Sequence, residues 1–322
     1  MLEGAKSLAK VSRAEFLLPN LGSLIMGLAW GASPPLGLIS GMTLVVLSFA
    51  TINLSSAIGA QANTLSDYEL DLKDDRKREL VHAMDSFGRE RLRTLLIIEF
   101  VFTLVLVSLF VLIQGKPLLL PLWVAGISLG YAYSAPPVRL KSRSWMAPVV
   151  LILVLAVFPV LFEYHIFASE TRPFFLLSLV GLALTVYGVI VPTEIRDYWG
   201  DKAMNIKTMT VRLGLVKASL VGILLLAVGA TLTGAAFFLE WVYGQHPWLS
   251  VFLLIIPVTA LFVLGKFRKL YSLSNKLSSS NGQSSVAEDI VDLSSHNPQW
   301  IMLVTQTYSL MSIILLISKF LL

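Results

Sequence analysis

The chain contains no cysteine, which excludes disulfide bonds, thiolate nucleophiles and cysteine-based metal sites. Charge is also scarce: charged residues make up 14% of the 322 residues, where a soluble domain carries roughly 25%. Between Thr94 and Val138 only Glu99 and Lys116 carry a charge at neutral pH. Hydrophobic residues make up 56% of the chain. These proportions exclude a soluble domain and predict a polytopic membrane protein.

Nine apolar stretches approach the roughly 20 residues that a helix needs to cross a bilayer. They are residues 14–33, 37–62, 94–113, 118–136, 146–166, 173–193, 216–240, 247–265 and 300–321. They predict an all-α membrane protein, a bundle of about nine transmembrane helices in a single domain over residues 1–322. The first stretch resembles a signal peptide, but it contains Glu15, Pro19 and Asn20 and another stretch follows at once. A first transmembrane helix is therefore expected.

The loops between these stretches alternate in basic character. Lysine and arginine are concentrated in the N-terminal segment and in loops 63–93, 137–145, 194–215 and 266–299. Basic loops face the cytoplasm, so the N-terminus and these loops are predicted to be cytoplasmic. The net charge of +5 then reflects orientation in a bilayer rather than nucleic-acid binding. The expected location is a prokaryotic plasma membrane, with an internal eukaryotic membrane as the alternative.

Residues 272–299 are polar and rich in serine. Segments of this composition behave as flexible chains because they bury little apolar surface. We therefore expect a flexible cytoplasmic linker here, with a short helix over residues 286–293 and no chemical role.

An acidic stripe follows the second apolar stretch. Asn63, Asp67 and Asp71 recur every four residues, and on a helix each such step advances by only about 40°, so the three share one face. Mg²⁺ favours hard oxygen ligands, typically one or two carboxylates completed by phosphate oxygens and water. The alternative is a solvated surface on which the carboxylates pair with nearby basic residues such as Lys73 and Lys77.

A second acidic stripe follows the sixth apolar stretch, on the same predicted side of the membrane. Glu194, Asp197 and Asp201 are three and four residues apart, again on one helical face. The alternative is an exposed helix neutralised by Arg196 and Lys202. Two acidic stripes facing each other would repel unless a divalent cation and its anionic ligand lay between them. Together the stripes suggest a Mg²⁺–diphosphate site.

A basic segment ends the fourth apolar stretch on the same side. Arg139 and Lys141 are suited to hold a diphosphate and to stabilise it as a leaving group. Tyr133 and Ser134, just before them, are suited to donate hydrogen bonds to it. Arg76, after the first stripe, is a further candidate for phosphate contact. Taken alone, this segment equally fits interfacial aromatic residues followed by basic anchors.

In this order, the three segments resemble the UbiA superfamily of intramembrane prenyltransferases. The matching motifs are Asn63-x-x-x-Asp67-x-x-x-Asp71, then Tyr133-Ser134-x-Pro136-Pro137-x-Arg139-Leu140-Lys141, then Asp197-x-x-x-Asp201 followed by Lys207-Thr208-x-x-Val211-Arg212-Leu213-Gly214. The resemblance runs from the first apolar stretch to at least the seventh. Thr64 stands where this family often has Asp, and Glu194 where Asp is common. Both departures keep side-chain oxygens, so they bear on acceptor choice rather than on Mg²⁺ binding.

The resemblance implies transfer of a prenyl group from an allylic (poly)prenyl diphosphate to an aromatic or other lipophilic acceptor. It implies Mg²⁺ ligands at Asn63, Asp67, Asp71, Asp197 and Asp201, with the four aspartates as catalytic residues. By motif match, Arg139 and Lys141 belong to the basic loop that grips the diphosphate in this family. Asn63, Arg76, Tyr133 and Ser134 are further candidates for diphosphate contact, from their own chemistry and position. The expected partners are the prenyl diphosphate, the acceptor and membrane lipid, with no nucleic acid and no obligatory protein partner. The acceptor stays open among naphthoquinone precursors, 4-hydroxybenzoate, a haem vinyl group and a prenylated glycerol phosphate.

Two other functions also place carboxylates in a membrane bundle. A CDP-alcohol phosphotransferase uses aspartates and Mg²⁺, but its Asp-Gly signature is missing here and that family has fewer spans. An ion-coupled secondary transporter places its carboxylates near the bilayer midplane, often on broken helices. The two stripes of this chain lie at one surface instead. Prenyl transfer is therefore the leading hypothesis, with these two as alternatives.

Overall fold

The structure is a computed structural model that describes residues 2–14, 17–33, 37–73, 77–244, 246–279 and 284–321. The described residues form helices joined by short turns, with no β-strand among them. The helices are α1 (Leu2–Val11), α2 (Leu17–Gly31), α3 (Leu38–Asp71), α4 (Arg78–Phe87), α5 (Arg89–Gln114), α6 (Leu119–Ser134), α7 (Met146–Ile152), α8 (Phe158–Phe167), α9 (Pro173–Ala203), α10 (Met209–Leu213), α11 (Leu215–Gly244), α12 (Trp248–Phe252), α13 (Ile255–Ser279), α14 (Ser284–Ser295) and α15 (Asn297–Leu321). A π-helical turn, Leu153–Val157, joins α7 to α8.

Seven helical segments among the described residues are long and apolar enough to cross a membrane. They are Ser40–Asp71, Arg89–Gln114, Met146–Phe167, Pro173–Ala203, Leu215–Gly244, Trp248–Ser279 and Ser284–Phe320. The apolar helices α2 and α6 are shorter, with 15 and 16 residues. Each predicted stretch therefore coincides with a helical segment. The all-α membrane bundle is confirmed, and the count of nine is approximate because α2 and α6 are short.

The serine-rich region is where the structure differs most from the sequence-based expectation. Helix α13 continues to Ser279, and α14 occupies Ser284–Ser295. Val286 and Ile290 of α14 are buried in an apolar cluster with residues of α9 and α11. A flexible linker is therefore wrong for these two helices, and the helix expected over residues 286–293 lies within the longer α14. Apolar residues at four-residue spacing bury one helical face even when serines fill the other positions.

Helix α9 packs more extensively on α11 than on any other described helix. A Cβ at Gly229 would lie 2.7 Å from the Gly181 carbonyl oxygen, and a Cβ at Gly181 would lie 2.6 Å from the Thr233 nitrogen. Small residues let helix backbones approach this closely, which matters in a membrane because apolar burial gains little over contact with lipid tails. The pairing fixes α9, whose last turns carry the second acidic stripe.

Two lysines close the end of the bundle opposite the acidic stripes. Lys319 of α15 donates hydrogen bonds to the carbonyls of Ala29 and Trp30 at 2.7 and 3.1 Å. Lys116 donates to the carbonyls of Ile166 and Ala168 at 3.0 and 3.1 Å. Carbonyls at a helix C-terminus have no partner within the helix. The two lysines therefore cap α2 and α8.

We expect Gly229→Ala to lower the free energy of unfolding by about 1–2 kcal/mol, since overpacking costs about 1–3 kcal/mol and the gain in helix propensity returns up to about 1 kcal/mol. Gly234→Ala, on the same helix, is the matched control because the nearest atom to its Cβ would be 3.8 Å away. Thermal unfolding in detergent measures both. Equal melting temperatures for the two variants would contradict the close approach of α9 and α11.

Candidate active site

The first acidic stripe lies on the last turns of α3 and meets the segment that follows α6. Ser134 Oγ donates to Asn63 Oδ1 at 2.6 Å. Arg139 Nη2 donates to Asp67 Oδ1 at 2.8 Å. Lys141 Nζ donates to the other carboxylate oxygen of Asp67 and lies 3.4 Å from Asn63 Oδ1. Five residues predicted from two distant segments are thus joined in one hydrogen-bonded cluster.

Burial explains why this cluster needs both cations. Asp67 is only 9% exposed, and a carboxylate this buried is costly unless positive charge and hydrogen bonds surround it. Arg139 and Lys141 supply both. Burial also lowers the pKa of Lys141, while the Asp67 carboxylate acts in the opposite direction and favours its charged form.

The segment that carries these cations is tied to the loop that follows α9. The backbone nitrogen of Ser144 donates to the Lys207 carbonyl at 3.1 Å. Arg212 Nη1 donates to Ser144 Oγ at 3.3 Å. Arg139 itself has a φ of 40°, in the left-handed region that is unfavourable for a side chain other than glycine. Such backbone strain persists where surrounding contacts hold it, as the ion pair with Asp67 does here.

The second acidic stripe lies on the last turns of α9, and its members have different partners. Glu194 accepts hydrogen bonds from Tyr187 Oη at 2.9 Å and from Thr210 Oγ1 at 2.8 Å. Asp197 accepts two bonds from Arg196, from Nε at 3.0 Å and from Nη2 at 3.2 Å. Glu194 therefore holds α9 to α10, while Asp197 lies within a partly exposed ion pair.

Tyr133 connects the two stripes in space. The carboxylates of Asp67, Glu194 and Asp201 all act electrostatically on its hydroxyl. Since Asp67 lies on α3 and the other two lie on α9, carboxylates of both stripes lie near the end of α6 that carries Tyr133.

The acidic residues suit a magnesium ion that takes some of its ligands from the protein and the others from a substrate. Among the described residues, no three acidic or histidine side chains converge closely enough to form a complete metal cage. Mg²⁺ does not require one, because it retains water and commonly takes one or two carboxylates together with phosphate oxygens. Two carboxylate stripes near one helix end, with basic residues beside the first, supply oxygen ligands of that kind.

The alternative pairings expected for a solvated surface are present as well. Lys77 Nζ lies 3.8 Å from Asp71 Oδ1, and Arg196 binds Asp197 as described. Asp71 has a side chain that is 15% exposed. Arg76, the remaining candidate for phosphate contact, lies outside the described residues. The contacts of Asp71 and Asp197 are therefore compatible with either interpretation, whereas the Asp67 cluster bridges distant segments.

Sequence reasoning missed two residues that shape the second stripe. Tyr187 lies seven residues before Glu194, which is two helical turns on the same face of α9, and this spacing was a usable signal. Thr210 had no such signal, because its role depends on how α10 folds back. Thr208 caps α10 by accepting a hydrogen bond from the Val211 nitrogen at 3.3 Å, a typical N-cap contact.

The fold and this site define an intramembrane helical bundle with paired acidic motifs. The sequence profile of the UbiA prenyltransferase family matches residues 16–280, so the chain belongs to that family and the resemblance seen in the motifs is confirmed. No protein with curated annotation shows a significant match to this sequence.

Solved structures with the same architecture include two from Archaeoglobus fulgidus. A UbiA homologue bound to GPP and Mg²⁺ has a TM-score of 0.61 at 17% identity, covering 93% of this chain and 99% of that one. The same homologue bound to DMAPP and Mg²⁺ has a TM-score of 0.60 at 17% identity, with the same coverage. A digeranylgeranylglyceryl phosphate synthase structure has a TM-score of 0.64 at 14% identity, covering 97% and 99%. At these identities the likeness establishes the fold.

We expect Thr210→Val to destabilise the protein by about 1–3 kcal/mol, since it removes the hydroxyl hydrogen bond to the Glu194 carboxylate. Thr231→Val is the matched control, because that exposed hydroxyl bonds only to the Ala227 carbonyl within α11, and a change of less than about 0.5 kcal/mol is expected there. Thermal unfolding compares the two variants. An equal effect would show that Glu194 does not hold α10 against α9.

Proposed function

We propose that the protein transfers a prenyl group from an allylic prenyl diphosphate to an aromatic or other lipophilic acceptor, with Mg²⁺ as cofactor. The observation that carries the proposal is the hydrogen-bonded cluster of Asp67, Arg139 and Lys141, which lies near carboxylates of the second acidic stripe at Tyr133. It brings together groups for a divalent cation and groups for an anion. Family membership supports the proposal, as does the presence of GPP or DMAPP with Mg²⁺ in structures of the same fold.

The aspartates divide into two sets on opposite sides of the proposed site. Asn63, Asp67 and Asp71 would offer oxygen ligands from α3, and Asp197 and Asp201 would offer them from α9. Bound Mg²⁺ would neutralise the diphosphate and so make it a better leaving group. Helices hold both sets, and rigid elements position ligands more accurately than loops do.

The basic residues take the complementary role towards the anion. Arg139 and Lys141 already lie beside the first stripe, so a diphosphate that enters there meets two positive donors. Charge-assisted hydrogen bonds of this kind are about twice as strong as neutral ones. They gain strength as the allylic C–O bond breaks and negative charge builds up on the departing oxygen. Ser134 and Tyr133 add hydroxyl donors at the same level.

The bond changes balance without a further reactant. The electron pair of the allylic C–O bond leaves with the diphosphate, and the prenyl carbon is left with positive charge. An electron pair of the acceptor forms the new bond, and the acceptor then loses a proton. Aromatic faces near the site stabilise the cation, and the apolar bundle interior limits attack by water.

The surface of the bundle is consistent with substrates that arrive through the lipid. The protein is an integral, multi-pass membrane protein, and α5 turns Ile97, Val101 and Leu112 outward with exposures of 62%, 52% and 78%. We propose that the acidic stripes face the cytoplasm, since the basic loops lie at the same end, and that the membrane is a prokaryotic plasma membrane. A prenyl chain would lie between helices or among lipid tails while its diphosphate occupies the polar end.

We expect Asp67→Asn and Asp201→Asn each to reduce prenyl transfer by about 100-fold or more, the loss typical when a group that stabilises leaving-group charge is removed. Asp289→Asn makes the same charge change at an exposed position of α14, and we expect it to leave prenyl transfer unchanged. Turnover and Mg²⁺-dependent binding of geranyl and geranylgeranyl diphosphate to purified protein measure the effect. Full activity in either of the first two variants would reject the site.

Removal of the metal gives an independent test. We expect EDTA to abolish both diphosphate binding and transfer, and added Mg²⁺ to restore them, because the facing carboxylates would repel the anion without a cation between them. Calcium is an informative comparison, since Mg²⁺ demands a tighter octahedral geometry. Activity that is indifferent to chelator would reject the metal-dependent mechanism.

A further inference from the structure

Helix α9 contains a proline just before the second acidic stripe. Pro192 lies inside the helix, where it has no N–H to donate, so the Gly188 carbonyl loses its intrahelical partner. Helices bend at such positions unless other groups hold them. The stripe begins two residues later at Glu194, so contacts that hold α9 on both sides of this break help to fix its direction.

Asn297 spans the break from another helix. It is the first residue of α15 and is fully buried. Its Nδ2 donates to the Val189 carbonyl at 2.7 Å and to Thr193 Oγ1 at 2.7 Å. One amide group therefore binds α9 on both sides of Pro192. Its Oδ1 is buried without a hydrogen-bond partner among the described residues, so the two donated bonds define its orientation.

Helix α14 supports the same stretch by apolar packing. Val286 and Ile290 lie in one buried cluster with Tyr187, Val191 and Ile195 of α9. Helix α14 and Asn297 thus support the part of α9 on both sides of Pro192. Asn297 lies beyond residues 16–280, in a part of the chain that the family profile does not match.

We propose that Asn297 is a positioning residue, which holds α9 across its proline break and so directs Asp197 and Asp201 towards the first stripe. This inference rests on the proposed role of the two stripes. Asp201 lies nine residues beyond Pro192, which is about 13 Å along a helix, so a bend of about 10° at the proline would move its carboxylate by roughly 2 Å. A displacement of about 1 Å is already enough to cost on the order of 100-fold in rate.

The first test compares Asn297→Ala with Tyr308→Phe in the full-length protein. Tyr308 is a matched control because it also lies on α15 and bonds α9, with its hydroxyl 3.0 Å from Thr185 Oγ1, but well before the proline. We expect Asn297→Ala to raise the Mg²⁺ concentration for half-maximal activity by about 10-fold or more, as loss of a group that orients metal ligands does. Tyr308→Phe should shift it by less than 2-fold. An unchanged Mg²⁺ dependence in folded Asn297→Ala would overturn the proposal.

Thr193→Val provides a milder variant in case Asn297→Ala fails to fold. It removes one of the two acceptors and leaves the Val189 carbonyl in place. We expect a shift in Mg²⁺ dependence in the same direction and of about 3-fold, in proportion to the loss of one bond of two. No shift in this variant would also overturn the proposal.

A second measurement needs no substrate. Since the chain has no cysteine, spin labels on Leu72→Cys and Met204→Cys report the distance between the ends of α3 and α9 without background; both positions are exposed. We expect Asn297→Ala to shift or broaden the distance distribution and Tyr308→Phe to leave it unchanged. An unchanged distribution in Asn297→Ala would overturn the proposal. Because this readout is independent of prenyl transfer, a protein that transfers no prenyl group yet shows the shift would refute the proposed function alone.

Discussion

The ion cluster of Asp67, Arg139 and Lys141 is the contact on which the arrangement of the site depends. A nearly buried carboxylate at the end of a membrane helix is stable only beside compensating charge, and the two cations come from a segment that the chain reaches 72 and 74 residues later. The ion pairs that neutralise Asp67 therefore also close this end of the bundle, because they hold the segment after α6 against α3. The same groups are able to exchange partners, since a metal ion would compete for the carboxylate and an anion would compete for the cations.

The second stripe depends on packing rather than on charge. Gly181 and Gly229 allow α9 and α11 to approach closely, and Glu194 fastens the end of α9 to α10 through Thr210. Helix α14 and Asn297 add further contacts to the same long helix. Two acidic motifs of similar composition are thus held in different ways, the first by its own counter-charges and the second by the helices around it.

The sequence was sufficient for the helical fold and for the shared helical face of the first acidic stripe, because both rest on local patterns. Apolar length located the helical segments, and four-residue spacing placed Asn63, Asp67 and Asp71 on one face. Partner choice was not readable, because it depends on contacts between distant segments: nothing near Lys141 in the sequence indicates Asp67. The serine-rich region was misread for a related reason. Its composition is that of a linker, whereas Val286 and Ile290 lie at helical spacing and become buried only once α9 is beside them.

The charged residues of α9 all lie between Glu194 and Lys202, near one end of the helix, and this distribution fits an amphiphilic substrate. Asp201 and Asp197 lie in its last turns, Glu194 follows with its hydroxyl partners, and Tyr187 lies seven residues further in, about 10 Å along the helix. Beyond Tyr187 the buried residues include Leu182 and Leu179. A diphosphate requires the charged level, and its prenyl chain requires the apolar one. The bond that links them would then lie near the tyrosines, at a depth where aromatic faces replace water around the developing cation.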